Sequence, residues 1–296
     1  MTTSSPAVTA ASRVPQGYLL GLLGVLAFSG TLPATRAAVA HLDPVFVGLG
    51  RALVAAVLAA GVLAATRTPW PPRHLWPRLA VVALGVVLGW PVLSAIAMRH
   101  VPAAHGAVVA GLLPLATALA GAAIAHERPS RRFWICAIAG SAVVVAFALW
   151  EGGGALQAAD LLLVAAVAAA AIGYAEGARL SRLLGGWQVI SWVLVFSAPV
   201  LALPMWIAAD GRLPDAPWTA WAGFAYVAVI SMFLGFFAWY RGLALGGIAA
   251  VGQLQLLQPF FTIIASAWLL GEAVDGATYL AAALVVAAIA AGRSRA

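Results

Sequence analysis

Hydrophobic runs of about 20 residues, the length that crosses a hydrocarbon layer as a helix, follow one another along almost the whole chain. Short stretches rich in Pro, Gly, Arg and acidic residues separate them. Inside a bilayer every backbone N–H and C=O must be bonded within the protein, which for runs of this length means helices. Spans are expected over 17–36, 44–66, 77–98, 103–125, 132–150, 159–178, 187–208, 218–240, 247–270 and 276–292. Ten crossings use nearly all of the 296 residues, of which 64% are hydrophobic and only 8% charged. A soluble domain carries roughly a quarter charged residues, so the expected fold is an all-α integral membrane protein with no sizeable aqueous domain.

Charge sets the orientation. All sixteen basic residues are Arg, and they stand singly or in small groups between apolar runs, so the net charge of +7 does not mark a nucleic-acid surface. Arg13, Arg67, Arg73, Arg78, Arg128, Arg131, Arg132, Arg179, Arg182, Arg241, Arg293 and Arg295 fall on one side of ten alternating spans. Only Arg36, Arg99 and Arg212 fall on the other, together with most of the acids, and Arg51 lies within a span. Because cytoplasmic loops retain Arg, both termini are expected in the cytoplasm. The lone Cys136 excludes a disulfide framework and a Cys-based zinc site.

A pattern recurs in the two halves. Arg99, Pro114 and Glu127 are echoed by Arg241, Pro259 and Glu272, with thirteen residues from Pro to Glu in both copies. Five spans separate the copies, an odd number, so they run in opposite directions through the membrane. Such an inverted repeat in transporters places a site near the midplane.

With these residues in view the chain resembles the drug/metabolite transporter superfamily, in particular its EamA-type ten-helix members. The segments Met98 to Ser130 and Trp239 to Val274 carry the likeness most strongly: each joins a short turn, a mid-helix Pro and a terminal Glu. The resemblance implies two inverted five-helix repeats, 17–150 and 151–292, between a disordered cytoplasmic tail at 1–16 and a cytoplasmic tail at 293–296. It further implies a multi-pass carrier of the bacterial inner membrane that exports amino acids or other metabolites. The cavity would be lined mainly by the first, third and fourth helices of each half. Members that export aromatic amino acids tend to carry aromatic residues before the fourth-helix Pro, where this chain has Gly111, Leu112 and Leu113. That departure argues against a bulky aromatic substrate.

Substrate-binding candidates follow from polar or helix-breaking residues in apolar helices. Pro114 and Pro259 each remove a backbone donor and can free a carbonyl; the alternative is a packing kink. Gln255 and Gln258 share one face and are expected at the cavity, whereas Gln253 points elsewhere and is expected to bond between helices. Trp90 and Ser94 in the third helix, Trp239 at the end of the eighth, Ser29 in the first and Tyr174 in the sixth complete the set, with Thr31 beside Ser29. Their hydroxyls could instead bond their own backbones. Tyr240 is expected at the membrane interface. Arg51 could meet a substrate carboxylate or a fixed acid such as Asp43, the fixed pair being the reading preferred from sequence. Glu176 and Arg179 suit an i,i+3 ion pair, His105 an interfacial position, and Glu127 and Glu272 a turn-forming role. Gly85 with Gly89 and Gly173 with Gly177 make small-residue faces for close packing.

No phosphate-binding loop accompanies these features, so the chain cannot drive transport with ATP by itself. No metal-binding or nucleophile pattern marks an intramembrane enzyme, and no cofactor or metal is expected. The partners expected are a small-molecule substrate, membrane lipids and, through the Ala-rich fifth and tenth helices, a second copy of the chain. Neutral amino acids fit best, with hydrophobic drugs as the competing cargo and a non-transporting scaffold as the remote one.

Overall fold

A computed structural model of the chain describes residues 6–151 and 158–271, with isolated positions between 276 and 291. The span expected at 276–292, Glu272 and the tail at 293–296 lie largely or wholly outside the described residues. The described chain is helical throughout. Helix α1 comprises Pro6–Ser29 and Thr31–Val39, α2 is Pro44–Ala65 and α3 is Arg73–Ala97. Helix α4 consists of Ala103–Ala110 and Leu113–Ala125, followed by α5, Arg131–Glu151. The second half begins with α6, Ala158–Leu184, and α7, Gly186–Ala208. It continues with α8, Trp218–Gly246, and α9, Ile248–Leu270. Seven of these helices are long and apolar enough to cross a membrane, and Leu113–Ala125 adds a shorter apolar segment.

The tail expected to be disordered to residue 16 is helical from Pro6. Proline is well suited to a first helical turn, where its missing N–H costs nothing, and the Ala residues that follow favour helix.

The two halves pair crosswise and antiparallel. Helix α1 packs along α8, α6 along α3, α2 against α7, and α4 against α9. Glycines set the first two contacts. A Cβ on Gly242 would lie 2.7 Å from the Gly21 nitrogen, and one on Gly17 equally close to the Gly246 nitrogen. Across the other pair, a Cβ on Gly85 would lie 2.5 Å from the Ala169 carbonyl oxygen. Backbones this close exclude any side chain, and such small-residue contacts suit a medium that offers no hydrophobic drive for helix association. Gly177 instead leaves room for the ring of Tyr240. Tyr240 is fully buried and donates to the Gly173 carbonyl at 3.2 Å, so it is a core residue and not an interfacial one.

Four helices are irregular at matching places. Helix α3 widens to π-helical turns over Ala83–Gly89 just before Pro91, and α8 does so over Tyr226–Leu234. Helix α4 breaks at Gly111 and Leu112 ahead of Pro114, and α9 tightens to 3-10 turns over Gln253–Leu257 ahead of Pro259. Each proline withholds a donor from the carbonyl four residues earlier, so the preceding turn must change its bonding. Helix α1 is interrupted too. Pro33 cannot bond the Ser29 carbonyl, and the Tyr226 hydroxyl, with its ring against Gly30, donates to the Ala27 carbonyl at 3.1 Å.

Candidate functional site

The irregular turns converge on a small central cavity. Both π-helical stretches reach its wall, α3 through Val86 and α8 through Ser231 and Met232. π-helical turns displace side chains from regular helical register and recur at functional sites. Helix α1 adds Phe28 and Thr31 on either side of its interruption, and α2 adds Arg51. Trp90, Tyr174, Phe236 and Gln258 complete the lining. The free volume is about 10 Å³, on the order of what one water molecule requires. The side chains thus nearly fill the space between them.

Its polar edge is built from three residues distant in sequence. The Arg51 Nη2 donates to the Ser231 hydroxyl at 2.8 Å, and Ser231 shares a 2.8 Å hydrogen bond with the Thr31 hydroxyl. Arg51 is only 2% exposed, and its Nε has no hydrogen-bond partner among the described residues. No described carboxylate stands within ion-pair distance of it. The fixed acid preferred from sequence is otherwise engaged: Asp43 caps α2, accepting from the Val45 and Phe46 amides at 2.8 and 3.1 Å. A cation near the centre of a membrane helix costs about 2.5–3.5 kcal/mol on insertion scales, so an unpaired one marks a functional position by default.

The other expected site residues divide. Trp90, Tyr174 and Gln258 line the cavity, and the Gln258 side-chain oxygen has no described partner. Gln255 is fully buried one turn away, accepting from the Thr117 hydroxyl at 3.2 Å. Trp239 lies beneath the cavity in edge contact with Phe28 and Tyr174, at centroid separations of 6.0 and 5.5 Å. Ser29 and Ser94 bond the Val25 and Pro91 carbonyls of their own helices. Pro114 and Pro259 sit at the start of the second pieces of α4 and α9 and shape those helices without lining the cavity. Phe28, Val86, Ser231, Met232 and Phe236 are lining residues that pattern alone misses, and Arg51 is one that it undervalues. The signal for Ser231 was a hydroxyl isolated in the apolar run of α8.

Toward the Arg-rich end lies a second, larger space of about 860 Å³. It is walled by Tyr18 of α1, the Glu127–Ser130 turn, Phe133, Gly247 and Gln253. Along α9 the three glutamines therefore run from this vestibule (Gln253), through a buried position (Gln255), to the central cavity (Gln258). Rings of Phe28, Tyr174, Phe236, Trp239 and Tyr240 pack together between the two spaces.

Ion pairs tie the halves at both ends. Glu127 is not merely part of a turn. Its carboxylate accepts from the Ile248 and Ala249 amides at 2.9 and 2.8 Å, capping α9 across the repeat boundary, with Arg182 at 3.6 Å. Glu176 pairs with Arg179 at 3.0 Å and also with Arg78 of the other half. At the opposite end His105 Nε2 meets Asp160 at 2.6 Å, a part-buried pair instead of a free interfacial ring. There Arg36 also donates to the Met98 and Val101 carbonyls, and Phe46 stacks on Phe224 at 5.5 Å.

These features define a multi-pass membrane carrier, with two oppositely oriented repeats around a small central chamber. The chain belongs to the EamA-like transporter family, whose model matches it twice, over 15–149 and over 157–291. An uncharacterized transporter of Bacillus subtilis (strain 168), YdeK, is 47% identical over 287 residues, covering 95% of this chain and 98% of that protein. A crystal structure of another protein shares the fold with a TM-score of 0.76 over 93% of this chain and 97% of the other. The identity there is 20%, so that likeness speaks for the fold alone.

Proposed function

We propose that this transporter exports small metabolites, neutral L-amino acids foremost, across the bacterial inner membrane by alternating access around the central cavity. The Arg bias of the sequence supports a cytoplasmic position for both termini and hence for the vestibule. Cargo would then pass from the vestibule, past the ring-packed layer, to the central chamber. The observation that carries the reading is the convergence of both π-helical stretches on one chamber that also holds unpartnered buried polar atoms, Arg51 Nε and Gln258 Oε1. Other buried polar atoms also lack described partners, Thr35 Oγ1 and Ser191 Oγ among them, but Arg51 and Gln258 line one cavity, which fits a site that awaits a polar ligand. Hydrophobic drugs would suit the ring-lined wall but leave those atoms unsatisfied.

The test is reconstitution of the purified protein in liposomes loaded with labelled amino acids and, separately, with lipophilic dyes. Counterflow of amino acids is the expected result, reduced in Trp90→Ala at unchanged yield of folded protein. Counterflow of dyes alone would move the assignment to drug efflux. No protein-dependent flux across a broad panel would overturn the export reading.

A further inference from the structure

The polar edge of the chamber has a donor and acceptor pattern that specifies more than polarity. Ser231 and Thr31 share one mutual hydrogen bond, and Ser231 also accepts from Arg51. Two hydroxyls joined by one bond use one of their two protons. Whichever of them donates, one O–H proton is left without an acceptor among the described residues. Beside it lies the Arg51 Nε–H, also unpartnered, on a side chain that presents its donors in a rigid fork. The edge is thus a cluster of unused donors carrying a full positive charge, with no described carboxylate to balance it. Opposite donors of this kind the complementary group is a carboxylate, which accepts in bidentate fashion from a guanidinium and can take a hydroxyl proton as well.

The remainder of the wall sets what the carboxylate is attached to. Gln258 offers an unpartnered side-chain oxygen, an acceptor suited to an ammonium. Phe28, Trp90 and Phe236 offer rings for an apolar body. Phosphorylated solutes fit poorly, because their higher charge usually calls for several cations and this lining has one.

We infer that Arg51, with the Thr31–Ser231 hydroxyl pair, is the carboxylate anchor of the transport site, and that cargo must carry a free monocarboxylate. The inference rests on the central chamber being the transport site. It explains why the buried charge has no fixed partner: the counter-ion arrives with the cargo. A structural ion pair in its place would make the chamber indifferent to the charge of its ligand.

The probes are L-leucine, 4-methylpentanoate, L-leucinamide and isopentylamine, which keep one apolar body while the carboxylate and the ammonium are removed in turn. Melting of the full-length protein in detergent is followed for each. L-leucine and 4-methylpentanoate are expected to raise the melting temperature, and L-leucinamide and isopentylamine are not. Arg51→Gln is expected to weaken carboxylate binding by at least about 30-fold, the low end of the loss on removing one partner of a buried charge pair. Arg51→Lys should keep part of the affinity, because the charge stays and the fork is lost. Without ligand, Arg51→Gln should melt no lower than the parent, since it removes a buried charge that no described carboxylate neutralises, its one described bond being to the Ser231 hydroxyl; a structural Arg would lower it. Equal stabilisation by L-leucinamide, unchanged carboxylate affinity in Arg51→Gln, or no response of the parent to either carboxylate would overturn the anchor. Counterflow in liposomes separates this from the transport reading. Carboxylate binding without counterflow would leave the anchor and remove the carrier, whereas counterflow confined to carboxylate-free cargo would do the reverse.

Discussion

The two repeats share their mechanics and differ in their chemistry. Both widen the third helix into π-helical turns, and both interrupt the fourth ahead of a proline. Both lay a glycine-lined helix against its antiparallel counterpart in the other half. Yet Gln258 precedes Pro259 where Leu113 precedes Pro114, the hydroxyl of Ser231 comes from α8, and the buried charge of Arg51 comes from α2 of the first repeat. Duplicated backbone devices bring matching irregular turns to the chamber from both halves. Unequal side chains make the chamber between them asymmetric, with a cation from one half and an amide from the other.

The glycine contacts test the shared part most severely. Gly242→Leu and Gly85→Leu should each cost about 3 kcal/mol or more, because the added side chain meets backbone that cannot retreat. Monodisperse yield and melting temperature measure this, and a variant of either half that behaves like the parent breaks the equivalence of the two seams.

Exchange of the residues before the prolines tests the unequal part. Gln258→Leu should reduce flux about tenfold with little loss of stability, a change near 1.4 kcal/mol in transition-state terms. The reciprocal Leu113→Gln should gain no transport and should lose about 1–3 kcal/mol by burying an amide without partners. Flux and melting of the pair, measured side by side, would show whether the amide before the proline acts from the second repeat alone.

Smaller effects sharpen the picture at the boundaries. Glu127→Gln leaves one acceptor oxygen where the Ile248 and Ala249 amides each bond a separate carboxylate oxygen, and it also loses the charge facing the α9 terminus, so a loss of about 1–2 kcal/mol in thermal stability is expected. Tyr226→Phe removes the hydroxyl that holds the Ala27 carbonyl. It should cost about 0.5–1.5 kcal/mol, the net worth of an ordinary hydrogen bond, visible as a small drop in melting temperature.

What could be read from the sequence was what depends on short range. Apolar runs located the nine described helices, because the length a bilayer demands is written locally, and the prolines marked where α4 and α9 would be irregular. The π-helical turns of α8 were not legible: nothing in Tyr226–Leu234 breaks a helix, and the stretch packs against α1 and α2 of the other half, which a local pattern cannot show. Arg51 was visible as a charge, but whether it had a partner depends on residues up to 180 positions away. The nearest acid in sequence was the natural candidate, and it serves as a helix cap instead. Tyr240 failed for a similar reason, since its cavity is made by Gly177 on another helix, which a hydropathy pattern cannot show. Trp90, Tyr174 and Gln258 were nominated because polar or aromatic groups stand out in hydrocarbon. That criterion also nominated Ser29 and Ser94, which satisfy themselves at home.

The seam of Gly17 and Gly21 against Gly242 and Gly246 has a further consequence. Helices welded backbone to backbone travel as one piece, and this weld joins the beginning of one repeat to the middle of the other. The rigid pieces that such seams make are therefore not the two repeats but composites that each borrow a helix from both.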